Sequence, residues 1–151
     1  MRLTTNFALY EFLRSQTAAR HNITMDPPIE AIDNLRRLCV DILQPLRDTI
    51  DLSITISSGY RPPELNGLIG GSTNSAHMDG RAADIIVNGM TPLDVAKTIR
   101  DMELPYDQVI HEFGQWVHVG ISDEEDDVRL QELTAYKQGG RTRYDLGLRS
   151  V

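Results

Sequence analysis

The segment of residues 57–84 most constrains how this chain can fold. It contains the runs Ser-Ser-Gly-Tyr-Arg-Pro-Pro and Gly-Gly-Ser-Thr-Asn-Ser, and glycine and proline at this density favour turns and loops over regular elements. His77 and Asp84 follow, seven residues apart, with Gly80 and the pair Ala82-Ala83 between them. Small residues let the backbone turn closely, so an imidazole and a carboxylate can converge on one point. The rest of the chain is interpreted as a scaffold for that point.

A further histidine, His118, lies inside the apolar run Trp-Val-His-Val-Gly. Strand periodicity would put Trp116, His118 and Gly120 on one face. Two imidazoles and one carboxylate form a three-ligand set for Zn²⁺ that leaves the fourth position for water. A structural histidine in a strand is the alternative interpretation. The candidate metal ligands are therefore His77, Asp84 and His118.

Length and composition indicate a single globular domain. The chain has 151 residues, of which 40% are hydrophobic and 25% are charged, which is ordinary for a globular protein with one core. We expect one domain over residues 1–151, in which residues 137–151 form a basic tail. That tail is either a solvated terminus or a docking surface for an anionic polymer or a neighbouring subunit.

The charge and the apolar runs exclude some partners. A formal net charge of −7 argues against a nucleic-acid partner, because phosphate binding needs a cationic surface. No apolar run reaches 18 residues, so we expect no membrane span. The first residues lack the pattern of a secretory signal. Cys39 is the sole cysteine, which excludes an internal disulfide, and we expect it to be a buried apolar filler.

Periodicity predicts three helices. They are a short helix at residues 6–14, a long amphipathic helix that opens at Pro27-Pro28 and carries apolar residues up to Leu46, and a helix from Thr91 to about Met102. Residues 64–69 form a short helix or a turn, and residues 70–75 a loop.

Alternating residues predict strands at 52–57, 82–87, 107–113 and 116–121. Residues 122–127 are expected to form a solvated acidic loop, and residues 130–136 are ambiguous between helix and strand. This order of elements indicates an α+β domain, in which helices pack on one face of a small, mostly antiparallel sheet.

The motifs of this chain resemble a known family. They are Ser57-x-Gly59-Tyr60-Arg61-Pro62, Leu65-Asn66, Gly70-Gly71, Ser75-x-His77-x-x-Gly80-x-Ala82-x-Asp84 and Trp116-x-His118. The pattern is similar to the zinc D-alanyl-D-alanine carboxypeptidase family, and most closely resembles its phage- and prophage-encoded branch. The resemblance covers roughly residues 6–121.

The resemblance implies a Hedgehog/D,D-peptidase-like fold with Zn²⁺ held by His77, Asp84 and His118. It implies hydrolysis of D-amino-acid-containing stem or cross-bridge peptides of peptidoglycan, with zinc activating water and polarising the peptide carbonyl. Without a secretory signal, such a protein is expected to stay cytoplasmic until released, or to be carried in a phage particle.

The resemblance also implies roles for residues around the metal. Arg61 would bind or polarise substrate, for which its bidentate guanidinium is suited; the alternative is a buried ion pair that orders its loop. Gln115 and Trp116 are further candidate substrate-binding residues. Ser75 is either a hydrogen-bonding group for substrate and ligands or a loop cap.

The general base is the point at which the sequence departs from the family. An acidic residue is usual three positions before the last ligand histidine, and this chain has Gln115 there. A two-residue turn at Gly114-Gln115 would place His111 on the metal face. A three-residue loop would change the parity and bring Glu112 there instead. Both are candidates, and we favour Glu112 because the resembling branch commonly has glutamate in such a run.

Two functions are compatible with these residues. One is a zinc-dependent peptidase of peptidoglycan, either carboxypeptidase or endopeptidase. The other is a zinc-stabilised binding or structural module of the same fold without hydrolysis, which the glutamine at position 115 keeps open.

Overall fold

The computed structural model describes residues 1–123 and 127–151. In this part of the chain, a six-stranded sheet has helices packed on one face, with strand order β3-β4-β6-β5-β7-β8. Its strands are β3 (Ile54–Ser58), β4 (Ala82–Val87), β5 (Gln108–Glu112), β6 (Trp116–Gly120), β7 (Gln131–Gln138) and β8 (Arg141–Leu146). Every neighbouring pair is antiparallel except β5 and β7, which are parallel. The predicted α+β class with a mostly antiparallel sheet is confirmed.

The N-terminal segment is not the helix that the apolar residues predict. A small ribbon of β1 (Arg2–Thr4) and β2 (Phe7–Ala8) is followed by a 3-10 turn at Leu9–Phe12. The Glu11 carboxylate accepts the Ala8 N–H at 2.7 Å, and Phe7 and Phe12 are both buried. Two aromatic anchors five positions apart, together with this local side-chain bond, favour a tight turn over a helix.

The long amphipathic helix is present, with an irregularity in its middle. Helix α1 (Gln16–Arg20) precedes it, and α2 (Ile29–Leu38) continues through a π-turn at Cys39–Leu43 into α3 (Gln44–Ile50). Pro45 has no N–H to extend an α-helical ladder, and a wider turn accommodates such a residue. Cys39 in this turn is fully buried, as predicted.

The later elements agree with the predicted boundaries to within about two residues. Helix α4 (Pro63–Leu68) resolves the open choice at 64–69 in favour of a helix, and α5 (Pro92–Asp101) is capped by the Thr91 hydroxyl. The sheet places alternate residues of its central strands against α2, α3 and α5 to form the core. These core-facing residues are Ala83, Ile85, Val87, Val109, Val117 and Val119.

The segment expected to be a basic tail is partly a strand. Strand β7 pairs with β5, and β8 returns along β7 after a turn at Gly139-Gly140. Residues 131–138 are therefore strand and not helix. The predicted acidic loop at 122–127 includes Glu124, Glu125 and Asp126, which lie outside the described residues.

Among the residues that the structure describes, no helix has the length and apolarity needed to cross a membrane.

Candidate metal centre

Three side chains that the sequence separates by up to 41 residues converge on the sheet face opposite the core. His77 Nε2, Asp84 Oδ1 and His118 Nδ1 form a triangle in which each pair of atoms is 3.2 Å apart. The exposed fractions of the three residues are only 1%, 9% and 9%. This is a group that could hold a metal ion.

The donor set fits the zinc ion that the sequence motifs imply. Zinc binds imidazole nitrogen and carboxylate oxygen at about 2.0–2.2 Å, so two ligands of a tetrahedral ion stand about 3.3 Å apart. The observed separations of 3.2 Å are close to that value. Three protein donors also leave one tetrahedral position open, as catalytic zinc sites require.

A backbone carbonyl sets the tautomer of His77. Its Nδ1–H donates to the Gly59 carbonyl at 2.8 Å, which leaves the Nε2 lone pair directed at the triangle. A Cβ on Gly59 would lie 2.6 Å from the Phe12 Cα. Only glycine therefore lets this carbonyl reach the imidazole while the strand end packs on the N-terminal turn.

A compact turn delivers His77 and Asp84 to the same point. His77 lies in a 3-10 turn at Ala76–Asp79, and the Ser75 hydroxyl caps it by accepting the His77 N–H at 3.2 Å. Gly80 ends the turn with φ +73°, and a Cβ added there would collide with the Ala31 carbonyl of α2. Strand β4 begins two residues later at Ala82, and Asp84 lies on the face of β4 opposite the core residues Ala83 and Ile85.

The strand register supplies the third donor. Asp84 is directly opposite His118 in the β4–β6 pair, and directly opposed residues project from the same face of a sheet. The predicted face of Trp116 and His118 is the one that carries the triangle.

The charges within the triangle depend on one another. Burial disfavours the imidazolium of His77 and lowers its pKa, and the facing Asp84 does not offset this. For Asp84 burial alone would raise the carboxyl pKa, but His77 and His118 outweigh it and lower the pKa. Burial acts to lower the pKa of His118, and the bond to Asp84 outweighs it and raises that pKa. A ligating imidazole must be neutral, so a metal ion at this site competes with protonation of His118.

The β5–β6 hairpin decides between the two candidate bases. Phe113 and Gly114 both have left-handed φ values, of +58° and +69°, and the Gln115 N–H donates to the Glu112 carbonyl at 2.9 Å. The loop therefore has three residues, and Glu112 pairs with Trp116. Glu112 shares the face of His118, with its Oε1 4.0 Å from His118 Nδ1.

His111 is on the other face of the sheet. It is opposite Val117, it is buried, and its Nδ1 lies 2.8 Å from the Arg149 carbonyl. The candidacy of His111 as a catalytic base required the two-residue turn, and the observed loop length removes it from the metal side.

Burial makes the carboxyl group of Glu112 a weaker acid than an ordinary glutamate. Loss of water and then the charge of Asp84 raise its pKa to about 7, from an ordinary 4.5. The indole N–H of Trp116 lies close enough to favour the carboxylate, although Trp116 Nε1 has no well-aligned acceptor among the described residues. A partly buried carboxyl with this pKa, beside a candidate metal site, can exchange a proton near neutral pH.

Arg61 brings a cation to the same centre. Its backbone N–H donates to the His77 carbonyl at 3.0 Å, and its side chain is half-buried without a salt bridge among the described residues. Burial lowers its pKa, against the opposing charges of Asp84 and Glu112. Its Nε is buried with no partner among the described residues, so the guanidinium has an N–H left to donate to a ligand.

The glycine-rich loop is held by one buried amide. Asn66 of α4 donates from Nδ2 to the Ser72 carbonyl at 2.8 Å, and its backbone carbonyl accepts the Gly71 N–H at 2.9 Å. A Cβ on Gly71 would collide with the Asn66 side chain. Asn66 thereby holds Gly71 and Ser72, which line the cavity described next.

These residues surround a cavity of about 520 Å³. The triangle, Arg61, Glu112, Ser75 and Trp116 line it, and so do Ile69, Gly70, Gly71, Ser72, Asn74, Gln108, Ile110, Phe113, Arg129, Thr142 and Tyr144. Gln115, a candidate substrate-binding residue, is exposed in the hairpin loop, and the structure does not bring it to the cavity.

Sequence reasoning missed the residues that β8 contributes. Thr142 and Tyr144 lie in the segment expected to be a tail. A signal was present: Gly139-Gly140 divides two runs of alternating residues, which is the pattern of a hairpin.

A comparison with protein families finds that residues 5–120 match the family model described as Peptidase M15. No curated protein matches the chain.

Proposed function

We infer a peptidase function from the premise that this chain belongs to the Peptidase M15 family, whose members are zinc metallopeptidases acting on peptidoglycan peptides. We propose that it hydrolyses D-amino-acid-containing stem or cross-bridge peptides as a cell-wall hydrolase of the phage or prophage type. The observation that carries this proposal is the triangle of donors 3.2 Å apart with a carboxylate 4.0 Å from one of them. The motif resemblance supports the phage or prophage type.

His77, Asp84 and His118 would hold the zinc ion. When bound, zinc supplies a Lewis acid that polarises a carbonyl and acidifies water. The Gly59 carbonyl and the closely packed turn keep the His77 ring in the ligating orientation. The open side of the triangle faces the cavity, which is where a peptide would enter.

Glu112 is the proposed general base. It takes the proton of the water that attacks the peptide carbonyl, and returns that proton to the nitrogen of the departing amine. Its raised pKa of about 7 suits both transfers near neutral pH. Arg61 holds a carboxylate or carbonyl oxygen of the substrate through its unpartnered Nε. Both groups are in place before substrate binds.

The test is cleavage of purified muropeptides, read by mass spectrometry. Zinc-loaded protein is expected to cut them, chelation to stop cleavage, and added zinc to restore it. The masses of the products also identify the bond and so distinguish carboxypeptidase from endopeptidase activity. Zinc-loaded protein that leaves muropeptides uncut would favour the non-catalytic module.

The ligand assignment has its own test in metal content. His77→Ala and Asp84→Ala should each lose stoichiometric zinc, because each removes one of three donors. His111→Ala is a matched control, since that imidazole lies on the opposite face. Unchanged zinc in both donor variants would contradict the assignment.

A further inference from the structure

The β7–β8 hairpin forms a wall of the cavity although it lies outside the family match. Strand β7 is parallel to β5, the strand that carries Glu112, and the Phe113 N–H donates to the Ala135 carbonyl at 2.9 Å. The match ends at residue 120. The hairpin therefore adds to the site a surface that the matched part of the chain does not contain.

The strand register places Tyr144 in line with the candidate base. Across the sheet Trp116 is opposite Glu112, Glu112 is opposite Ala135, and Ala135 is opposite Tyr144. Neighbouring strands are about 4.8 Å apart, so two steps separate the backbone of Tyr144 from that of Glu112 by about 10 Å. The small Ala135 between them leaves room for the phenol ring to reach toward the site.

Tyr144 presents an aromatic ring to solvent beside the site. Its exposed fraction is 56%, while it lines the cavity. Burial and then the charges of Glu112 and Asp84 raise the pKa of its phenol, which agrees with a ring that points toward them. A second row of directly opposed residues on the same face of the sheet consists of Asp84, His118, Ile110, Leu133 and Leu146.

The two sides of the cavity differ in charge. The side formed by the loop between β3 and α4 has the Arg61 guanidinium with an unpartnered Nε. The side formed by β8 has the Tyr144 ring and the Thr142 hydroxyl. Arg129, which also lines the cavity, is paired to Asp107 at 2.8 Å. Lys137 donates to Thr142 Oγ1 at 2.8 Å and lies over the Phe113 ring. The two side chains that β8 itself contributes to the cavity, Thr142 and Tyr144, are thus uncharged.

We propose that Tyr144 is a substrate-binding, specificity-determining residue, which packs against an uncharged residue of the peptide while Arg61 holds an anionic group on the opposite side of the metal centre. This rests on the proposed function, since it assumes that a peptidoglycan peptide occupies the cavity. It assigns an orientation to that peptide, with the acidic end at Arg61 and the neutral end at the β7–β8 hairpin.

The experiment measures binding and cleavage separately in the zinc-loaded protein. The probe is a synthetic stem pentapeptide ending in D-Ala-D-Ala, with and without the attached disaccharide, titrated by NMR and followed by steady-state kinetics. Tyr144→Ala should weaken pentapeptide binding about tenfold, which is in the range for losing one apolar contact surface. It should raise KM with little change in kcat, and Tyr144→Phe should stay within about threefold of the wild type because the ring remains.

Two controls separate this role from a structural one. Arg143→Ala alters the neighbouring residue, which pairs with Tyr136 on the other face, and should leave binding unchanged. Zinc content should be the same in every variant, because no donor is touched.

The possible results separate the role of Tyr144 from the proposed peptidase activity. Wild-type affinity in Tyr144→Ala overturns the inference, even if the protein cuts muropeptides. A loss confined to the disaccharide-bearing probe also overturns it, since the ring would then contact sugar and not peptide. If the wild-type protein binds the pentapeptide without cutting it, the proposed function is overturned. The ratio of the wild-type affinity to that of Tyr144→Ala still decides the role of Tyr144. Absence of wild-type binding overturns both.

Discussion

At the residue scale, metal and ligand binding at the site depend on which side-chain atoms already make a hydrogen bond. The Gly59 carbonyl occupies His77 Nδ1, so the Nε2 lone pair is the one available to a metal. Arg61 has a buried Nε without a partner among the described residues. Buried donors left unpaired are destabilising, and their presence beside a cavity indicates a place where ligand groups bind.

The first prediction at this scale concerns the base. Glu112→Gln should lower kcat by about 10²–10⁴-fold, the usual contribution of general acid–base catalysis, and should retain zinc because Glu112 is not a donor. Muropeptide kinetics and metal analysis check the two parts. Wild-type cleavage by this variant would leave the peptidase in place and show that another group takes the proton.

A second substitution tests the geometry of the loop. Gln115→Glu restores a carboxylate three positions before His118, where better-known members of the family have one. Because Gln115 is exposed in the hairpin loop, this change should not rescue Glu112→Gln. Rescue measured in the double variant would mean that the loop brings position 115 to the metal in the working enzyme.

At the element scale, the turn between the 3-10 segment and β4 holds the ligands together. Gly80 combines φ +73° with direct packing on the Ala31 carbonyl of α2. A side chain there would be strained by its conformation and would collide with backbone. The turn that delivers two donors is thus attached to the longest helix of the fold.

Substitution of two glycines tests this attachment. Gly80→Ala should destabilise the protein by about 1–3 kcal/mol, the usual effect of overpacking, and should weaken zinc binding. Gly67→Ala in α4 is the matched control: no atom lies within 4 Å of its added Cβ, and alanine is favoured over glycine in a helix by about 0.5–1 kcal/mol. Urea unfolding of both variants measures the difference, and equal stabilities would contradict the packing argument.

At the scale of the whole molecule, the sheet has two faces with separate tasks. One face packs its aliphatic residues on α2, α3 and α5, and the other carries the polar centre. A fully packed core on one side gives a rigid base, which keeps the side chains of the other face in position.

The single cysteine reports on that core. Burial, and then the charge of Glu11, raise the pKa of the Cys39 thiol to about 12 from an ordinary 9.0. The folded protein keeps this proton between pH 9 and 12 while the unfolded chain loses it, so this group's contribution to stability is full below pH 9 and declines as pH rises.

Alkylation of Cys39 tests the burial that raises this pKa. Iodoacetamide at pH 8.5 should modify the unfolded chain quickly and the native protein only at the rate of unfolding. Mass spectrometry over time gives both rates. Rapid modification of native protein would show that the centre of the long helix opens locally.

Much of the fold was predictable, because the signals are local. The period of apolar residues identifies α2, α5 and the central strands, and the Thr91-Pro92 pair identifies the start of α5. The N-terminal turn was not predictable in the same way. Its aromatic residues look helical in spacing, yet they are held by contacts to Tyr60 and β3, which are distant in sequence.

The sequence by itself determined the chemistry available to this protein: two imidazoles, one carboxylate, an arginine and the small residues that let them approach. Only the tertiary structure decided which side chains meet. The left-handed pair Phe113-Gly114 makes the hairpin loop one residue longer than the predicted turn, and a change of one residue moves every side chain of the strand to the other face. That step put Glu112 beside His118 and His111 behind the sheet. The pairing of β7 with β5 likewise brought Tyr144 to the cavity, because strand pairing depends on contacts between distant segments that residue spacing does not encode.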